Sequence, residues 1–231
     1  MIKHILVLWL FSLVSSAQTV KLNQFDAQGQ RHGYWKKTYE NSDQIRYEGT
    51  FRHGKEVDTF KFYKPNTRYP SALTIFSIDS NRATQIYLAQ NGHKISEGLL
   101  EGKQRTGTWT YYHEDGNTVM MTEEYTNGQL NGFQITYFPN GKIAEKSNYL
   151  NGNLHGVSNM YNDQGTLVKV FTYDKGQLHG ETIYYNADGS KSSSGNYKNN
   201  KKHGIWQYYK DGKVVKEKKF PLPSGKIEKS D

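Results

Sequence analysis

Between residues 25 and 220, short runs of alternating apolar and polar positions are cut by polar turns every ten to twelve residues or so. Each run is strand-sized, as in Trp206 to Tyr209. The breaks fall at Asn-Gly and Asp-Gly dipeptides starting at Asn91, Asp115, Asn127, Asn131, Asn140, Asn151, Asp188 and Asp211. These dipeptides tolerate the positive φ of tight hairpin turns, so apolar runs on either side of them predict β-hairpins.

The pattern repeats. Segments led by Gly132, Gly156, Gly180 and Gly204 each carry a tyrosine five places on, at Tyr137, Tyr161, Tyr185 and Tyr209, with 24 residues between successive leaders. Stepping back reaches Gly107 with Tyr112, then Arg82 with Tyr87 and Asp58 with Tyr63, where the glycine is lost, and finally Gly33. That makes about eight units of strand, turn, strand and turn, too short to include a helix. The predicted fold is all-β: an elongated, single-layer antiparallel meander of about eight 24-residue hairpin repeats.

Two side-chain rows follow from the period. One is the tyrosine row just given. The other lies on the second strands: Phe51, Ile75, Leu100, Tyr125, Tyr149, Tyr173, Tyr197 and Phe220. Equivalent positions lie about 9–10 Å apart, a gap that rings on the intervening strands fill. By alternation, Trp35, Trp109 and Trp206 are expected on the face opposite the rows. Residues 64–89 break the pattern, with Pro65, Pro70 and no glycine, and read as a worn repeat. End caps are expected at Phe25 to Tyr34 and at Phe220 to Pro223.

Composition agrees with a thin sheet. Only 35% of residues are hydrophobic and 18 are tyrosine, a residue suited to half-wet surfaces. Residues 1–17 read as a signal peptide: Lys3 and His4, an apolar run from Ile5 to Val14, then Ser15, Ser16 and Ala17. Cleavage there leaves a short linker (18–24), the repeat domain (25–220) and a basic tail (221–231), and places the protein in the periplasm, at the cell surface or outside. The absence of cysteine excludes disulfides and thiolate metal sites. The net charge of +8 is concentrated at the C-terminal end, where ten lysines face four acids from Asn196 to Asp231. That end suits an anionic lipid or glycan; export makes nucleic acid an unsuitable partner.

The stretch Tyr149 to Gly156, echoed at Tyr173 to Gly180, resembles the MORN repeat, and more closely the bacterial variant found in YwqK-type antitoxin proteins. The resemblance is clear from Gly107 to Phe220 and weaker from Phe25 to Gly102. It implies a twisted ribbon of hairpins used as a scaffold or protein-binding surface, and the antitoxin form implies a toxin neutralised by binding.

Candidate chemistry is sparse. His32, His155, His179 and His203 precede leading glycines and His53 precedes Gly54. Residues one repeat apart lie near 10 Å, too far to share a zinc ion, so these read as turn residues and no metal or cofactor is expected. His113, Glu114 and Asp115 occupy a hairpin turn, where side chains rarely converge on one reacting atom. No catalytic motif is present, so no enzyme activity is expected. The candidate contact residues are Trp35, Trp109, Trp206, Tyr208, Tyr209, Lys201 and Lys202. They suit a protein partner or, at the basic end, an anionic glycan or lipid.

Overall fold

The computed structural model describes residues 21–78 and 80–221. The expected signal peptide and nearly all of the basic tail lie outside them. Nineteen strands form one open sheet, and the described residues contain no helix. The first nine are β1 (Gln24–Phe25), β2 (Arg31–Thr38), β3 (Ile45–Arg52), β4 (Lys55–Phe62), β5 (Ala72–Phe76), β6 (Arg82–Leu88), β7 (Lys94–Glu101), β8 (Gln104–Tyr112) and β9 (Val119–Thr126). Next come β10 (Gln129–Tyr137), β11 (Ile143–Leu150), β12 (Asn153–Leu154), β13 (Gly156–Tyr161) and β14 (Leu167–Asp174). The last are β15 (Gln177–Leu178), β16 (Gly180–Tyr185), β17 (Lys191–Lys198), β18 (Lys201–Lys210) and β19 (Lys213–Phe220). Pairing is antiparallel and follows chain order, and the short β12 and β15 are the opening turns of the strands continued by β13 and β16. The all-β hairpin meander read from the period is the architecture found.

Each leading glycine has a structural cause. Where β10 leaves β9, Leu130 pairs with Tyr125 but the next pair is Gln134 with Glu123, so two extra residues bulge out of β10. The same step occurs between β3 and β4, β7 and β8, and β17 and β18. A bulge residue at positive φ suits glycine: Gly156 has φ +78°, and Asp58, which replaces glycine in the second unit, takes φ +59°. Strands β5 and β6 pair without interruption from Ala72↔Tyr87 to Phe76↔Ala83, so the third unit has no bulge and no use for a glycine.

Register in that unit differs by one residue from the sequence expectation. The irregularity that closes each first strand falls at Tyr111/Tyr112 and Tyr208/Tyr209, and in the third unit at Tyr87/Leu88. Leu88, not Tyr87, therefore occupies the tyrosine row, and Ala83, not Arg82, leads the unit. The second strand of the second unit, β5, is shifted likewise: Phe76 packs against Phe60 at 5.9 Å, whereas Ile75 is 40% exposed, so Phe76 is the row member.

A further regularity runs down the middle of the sheet. The most buried residues of the first strands follow one residue of the preceding second strand by eleven places: Phe60 after Gly49, Trp109 after Gly98, and Trp206 after Gly195. In these three, an aromatic ring lies flat on a glycine, and a methyl group on Gly98 would meet the Trp109 ring at 2.3 Å. Elsewhere in the series the same spacing joins polar pairs. Thr74 donates to Gln85 at 2.8 Å, Gln134 to Glu123 at 2.9 Å, and the hydroxyls of Ser147 and Ser158 meet at 2.7 Å. The remaining pair, Phe171 with Thr182, puts the large residue first.

Turns tie successive units together. Gly54 N–H donates to Arg31 C=O at 2.9 Å, Gly152 to Leu130 at 2.8 Å, and Gly176 to Leu154 at 2.8 Å. At the start of the ribbon β1 folds back on β2, and Phe25 meets Trp35 edge-on at 5.2 Å.

The stacked pairs predict a sharp steric effect. Gly98→Ala lowers stability by about 1–3 kcal/mol through overpacking, while Thr108→Ala, exposed on the opposite face, stays within about 0.5 kcal/mol. Urea unfolding midpoints of the two variants check this.

Candidate binding face

The two side-chain rows occupy opposite faces. The second-strand row shares a face with the tryptophans: Trp35 meets Phe51 at 5.8 Å, Trp109 meets Tyr125 at 6.4 Å, and Trp206 lies 5.3 Å from Tyr197 and 6.3 Å from Phe220. The first-strand tyrosines lie on the other face, where Tyr63 donates to Glu48 at 2.9 Å, Tyr112 bonds to Glu97, and Tyr209 donates to Gln207 at 2.9 Å. The tryptophans face away from the first-strand tyrosines, as expected, but share a face with the second-strand row, which corrects the expectation that they face away from both. Gly107 to Tyr111 pair with Tyr125 to Met121 without interruption, so Trp109 and Tyr125 fall on one face.

This changes the candidate contacts. Trp35, Trp109 and Trp206 are 7%, 0% and 1% exposed. The indole N–H of Trp109 donates to Leu99 C=O and that of Trp206 to Asn196 C=O, both at 3.1 Å. With ring and donor both engaged, they are core residues of a one-layer sheet and offer no free surface. Tyr208 and Tyr209 are half-buried and Lys201 is exposed. Lys202 lays its ammonium 4.6 Å from the Trp206 ring and 5.2 Å from Phe220, so its stem roofs the core. Lys216 and Lys218 flank Tyr208 at 5.9 and 5.8 Å. The structure thus gathers Tyr208, Lys202, Lys216 and Lys218 into one basic, aromatic end.

Sequence reasoning missed an exposed apolar row. Phe133, Val157 and Ile205 each stand one place after a leading glycine, 24 or 48 residues apart, and are 42%, 51% and 55% exposed. Each immediately precedes a member of the buried series (Gln134, Ser158, Trp206), so alternation puts them on the opposite, tyrosine-bearing face. Their cross-strand partners are polar: Asn148, Thr172 and Lys219. Glu181, also exposed, takes the same place in the unit between Val157 and Ile205. The signal was available in the residue after each leading glycine.

The covered face is not uniformly apolar. Aromatic clusters at its ends are separated by a polar middle built on Glu123, which is 8% exposed. Glu123 accepts from Tyr111 at 2.6 Å, Tyr125 at 2.8 Å and Gln134 at 2.9 Å. Arg105 donates to both tyrosine hydroxyls, at 2.6 and 3.1 Å, and stacks 4.0 Å above Trp109. Burial raises the Tyr111 hydroxyl pKa, and the Glu123 carboxylate adds to the effect.

His113, Glu114 and Asp115 line an open hollow with Tyr112, Thr118 and Met120. Asp115 is committed to its turn: the Thr118 hydroxyl and the N–H groups of Asn117 and Thr118 hold its pKa down at about 2. Among the described residues the histidines do not converge across repeats. The two histidine positions of the first unit do meet, however: the His32 and His53 rings are 4.9 Å apart, and Asp26 lies against His53 at 2.8 Å. One ligand atom from each of these three residues lies within 4.8 Å of the others.

Three segments, residues 105–123, 130–151 and 178–199, match the MORN repeat variant model, which supports a MORN-repeat protein. No curated protein matches the chain.

The carboxylates of the tyrosine-bearing face set an acid limit on stability. Burial alone would raise Glu48 and Glu97, but bonds from Tyr63, Tyr34 and Lys61 to the first, and from Lys94 and Tyr112 to the second, hold both below the usual range. Asp26, Asp115 and Asp188 are lowered too. A carboxylate depressed in the folded state stabilises fully above its unfolded value and loses that contribution as pH falls through the folded one. Melting temperature should hold between about pH 7 and pH 5 and drop steeply below about pH 4, followed by circular dichroism.

Proposed function

We propose that this chain is an exported, non-catalytic binding scaffold that docks a protein partner along its tyrosine-bearing face. The observation that carries the proposal is the row of Phe133, Val157 and Ile205, half-exposed on one face at a fixed repeat spacing and set among polar neighbours. Single exposed apolar side chains are ordinary. A row in register along a semi-rigid ribbon lets modest contacts add up over several units. The MORN-type repeats favour the same reading, since such repeats are generally binding or scaffold modules. The resemblance to YwqK-type antitoxins makes a toxin acting in the envelope or outside the cell one candidate partner.

A second reading rests on the basic end. Lys202 over Trp206, with Lys216 and Lys218 beside Tyr208, offers cations and ring faces to an anionic glycan or lipid headgroup. The two readings diverge under salt, because charge-led binding is screened and apolar contact is not.

Affinity capture from the envelope fraction separates them. The parent chain should retain a partner at about 0.5 M salt. The triple variant Phe133→Ser, Val157→Ser, Ile205→Ser should lose it at least tenfold without a change in fold. Retention that fades with salt and ignores the triple variant favours the anionic ligand instead. Export is tested separately: mass spectrometry of the mature chain should read Gln18 as its first residue, and a chain retaining Met1 in the cytoplasm would contradict export.

A further inference from the structure

We infer that Asp26, His32 and His53 form a binding site for one divalent transition-metal ion of the zinc type, a function separate from the docking face. One ligand atom from each lies within 4.8 Å of the others. Metal–nitrogen and metal–oxygen bonds of about 2.0–2.2 Å put tetrahedral ligand atoms about 3.4 Å apart. The required closure is a small turn of two side chains at the sheet margin, where the His53 side chain is 64% exposed. Two imidazoles and a carboxylate suit zinc and its neighbours in the first transition row, and leave a fourth position for water or a donor from another molecule.

The fold explains why the site arises once. In the units led by Gly156 and Gly180 the residue before the leading glycine lies beside the turn that follows the next strand. His155 faces Asp174 at 3.4 Å and His179 faces Asn199 at 3.2 Å. In the first unit both places are histidine, and Gly54 N–H to Arg31 C=O clamps their backbones together. The β1 hairpin then adds the third donor. Asp26 accepts from the N–H groups of Gln28 and Gln30, at 3.0 and 2.8 Å, through one oxygen, which fixes the carboxylate and aims the other oxygen at His53. The distance argument against a shared metal applies to equivalent positions in successive repeats. His32 and His53 are two different positions, 21 residues apart in the chain. A bound ion would also staple the short β1 cap, held by two residue pairs, to the β3–β4 turn.

The test uses the full untagged chain, stripped with a chelator and titrated with zinc by calorimetry and with cobalt by visible absorption. Substitutions come from the repeat itself: Asn131 stands in the position of His32, and Asn151 takes φ +50° in the turn position of His53. His32→Asn and His53→Asn therefore preserve the backbone. Expected are one zinc per chain, a cobalt spectrum of low coordination number, and binding weakened at least tenfold by His32→Asn, His53→Asn or Asp26→Asn. The double variant His155→Asn, His179→Asn should bind within twofold of the parent. Zinc should raise the melting temperature of the parent and of this double variant only. Absence of saturable binding up to about 1 mM zinc, far weaker than a built three-ligand site, overturns the inference. So does binding that survives His32→Asn and His53→Asn, or that follows His155 and His179.

Discussion

Each unit of the ribbon is joined to the one before it by a residue lying on its partner eleven places earlier in the chain. A single-layer sheet has no opposing layer to bury its face against, so exclusion of water has to come from neighbours within the sheet. The eleven-residue pairs provide it by matching size or chemistry. A ring covers a glycine at Phe60, Trp109 and Trp206, and polar partners bond to each other at Gln85, Gln134 and Ser158. Bulges accompany these pairs in most units, but Thr74 and Gln85 meet across β5 and β6 without one.

Ring pairs and polar pairs are interspersed along the ribbon. Rings stand at Phe60, Trp109 and Trp206, with Thr74 and Gln85 between the first two, and Glu123, Gln134, Ser147 and Ser158 between the last two. Ring contacts tolerate small shifts; hydrogen-bonded pairs do not, because each buried polar group left without its partner costs about 1–3 kcal/mol. The polar pairs thus set register, and the rings supply most of the apolar burial. With the covered face occupied in this way, the proposed contacts fall to the tyrosine-bearing face and to the tips of the ribbon.

The fold was legible because its period is written in turn residues, and glycines at bulges are hard to replace. Asp58 shows the exception the chemistry permits, a small polar residue at positive φ. The junction of the second and third units was misread by one place because it lacks the bulge, which left Tyr87 and Ile75 as false landmarks beside Leu88 and Phe76. The faces were misassigned because the expectation set both rows on one face, whereas uninterrupted pairing sets the second-strand row beside the tryptophans. The buried tryptophans looked like contact residues because the expectation put them on the face opposite the two ring rows. The meeting of His32 with His53 depends on a turn folding back over a strand, which strand spacing alone does not reveal.

A pair transplant tests the pairing rule most directly. Ser158→Phe alone sets a ring against the Ser147 side chain, while Ser147→Gly with Ser158→Phe recreates the arrangement of Gly49 and Phe60. Urea unfolding of the parent, both singles and the double gives the coupling between the two sites. The account predicts that the double variant recovers at least 1 kcal/mol or so of what the singles lose in sum. Strictly additive losses would contradict it, because the eleven-residue spacing would then record position without a packing contact behind it.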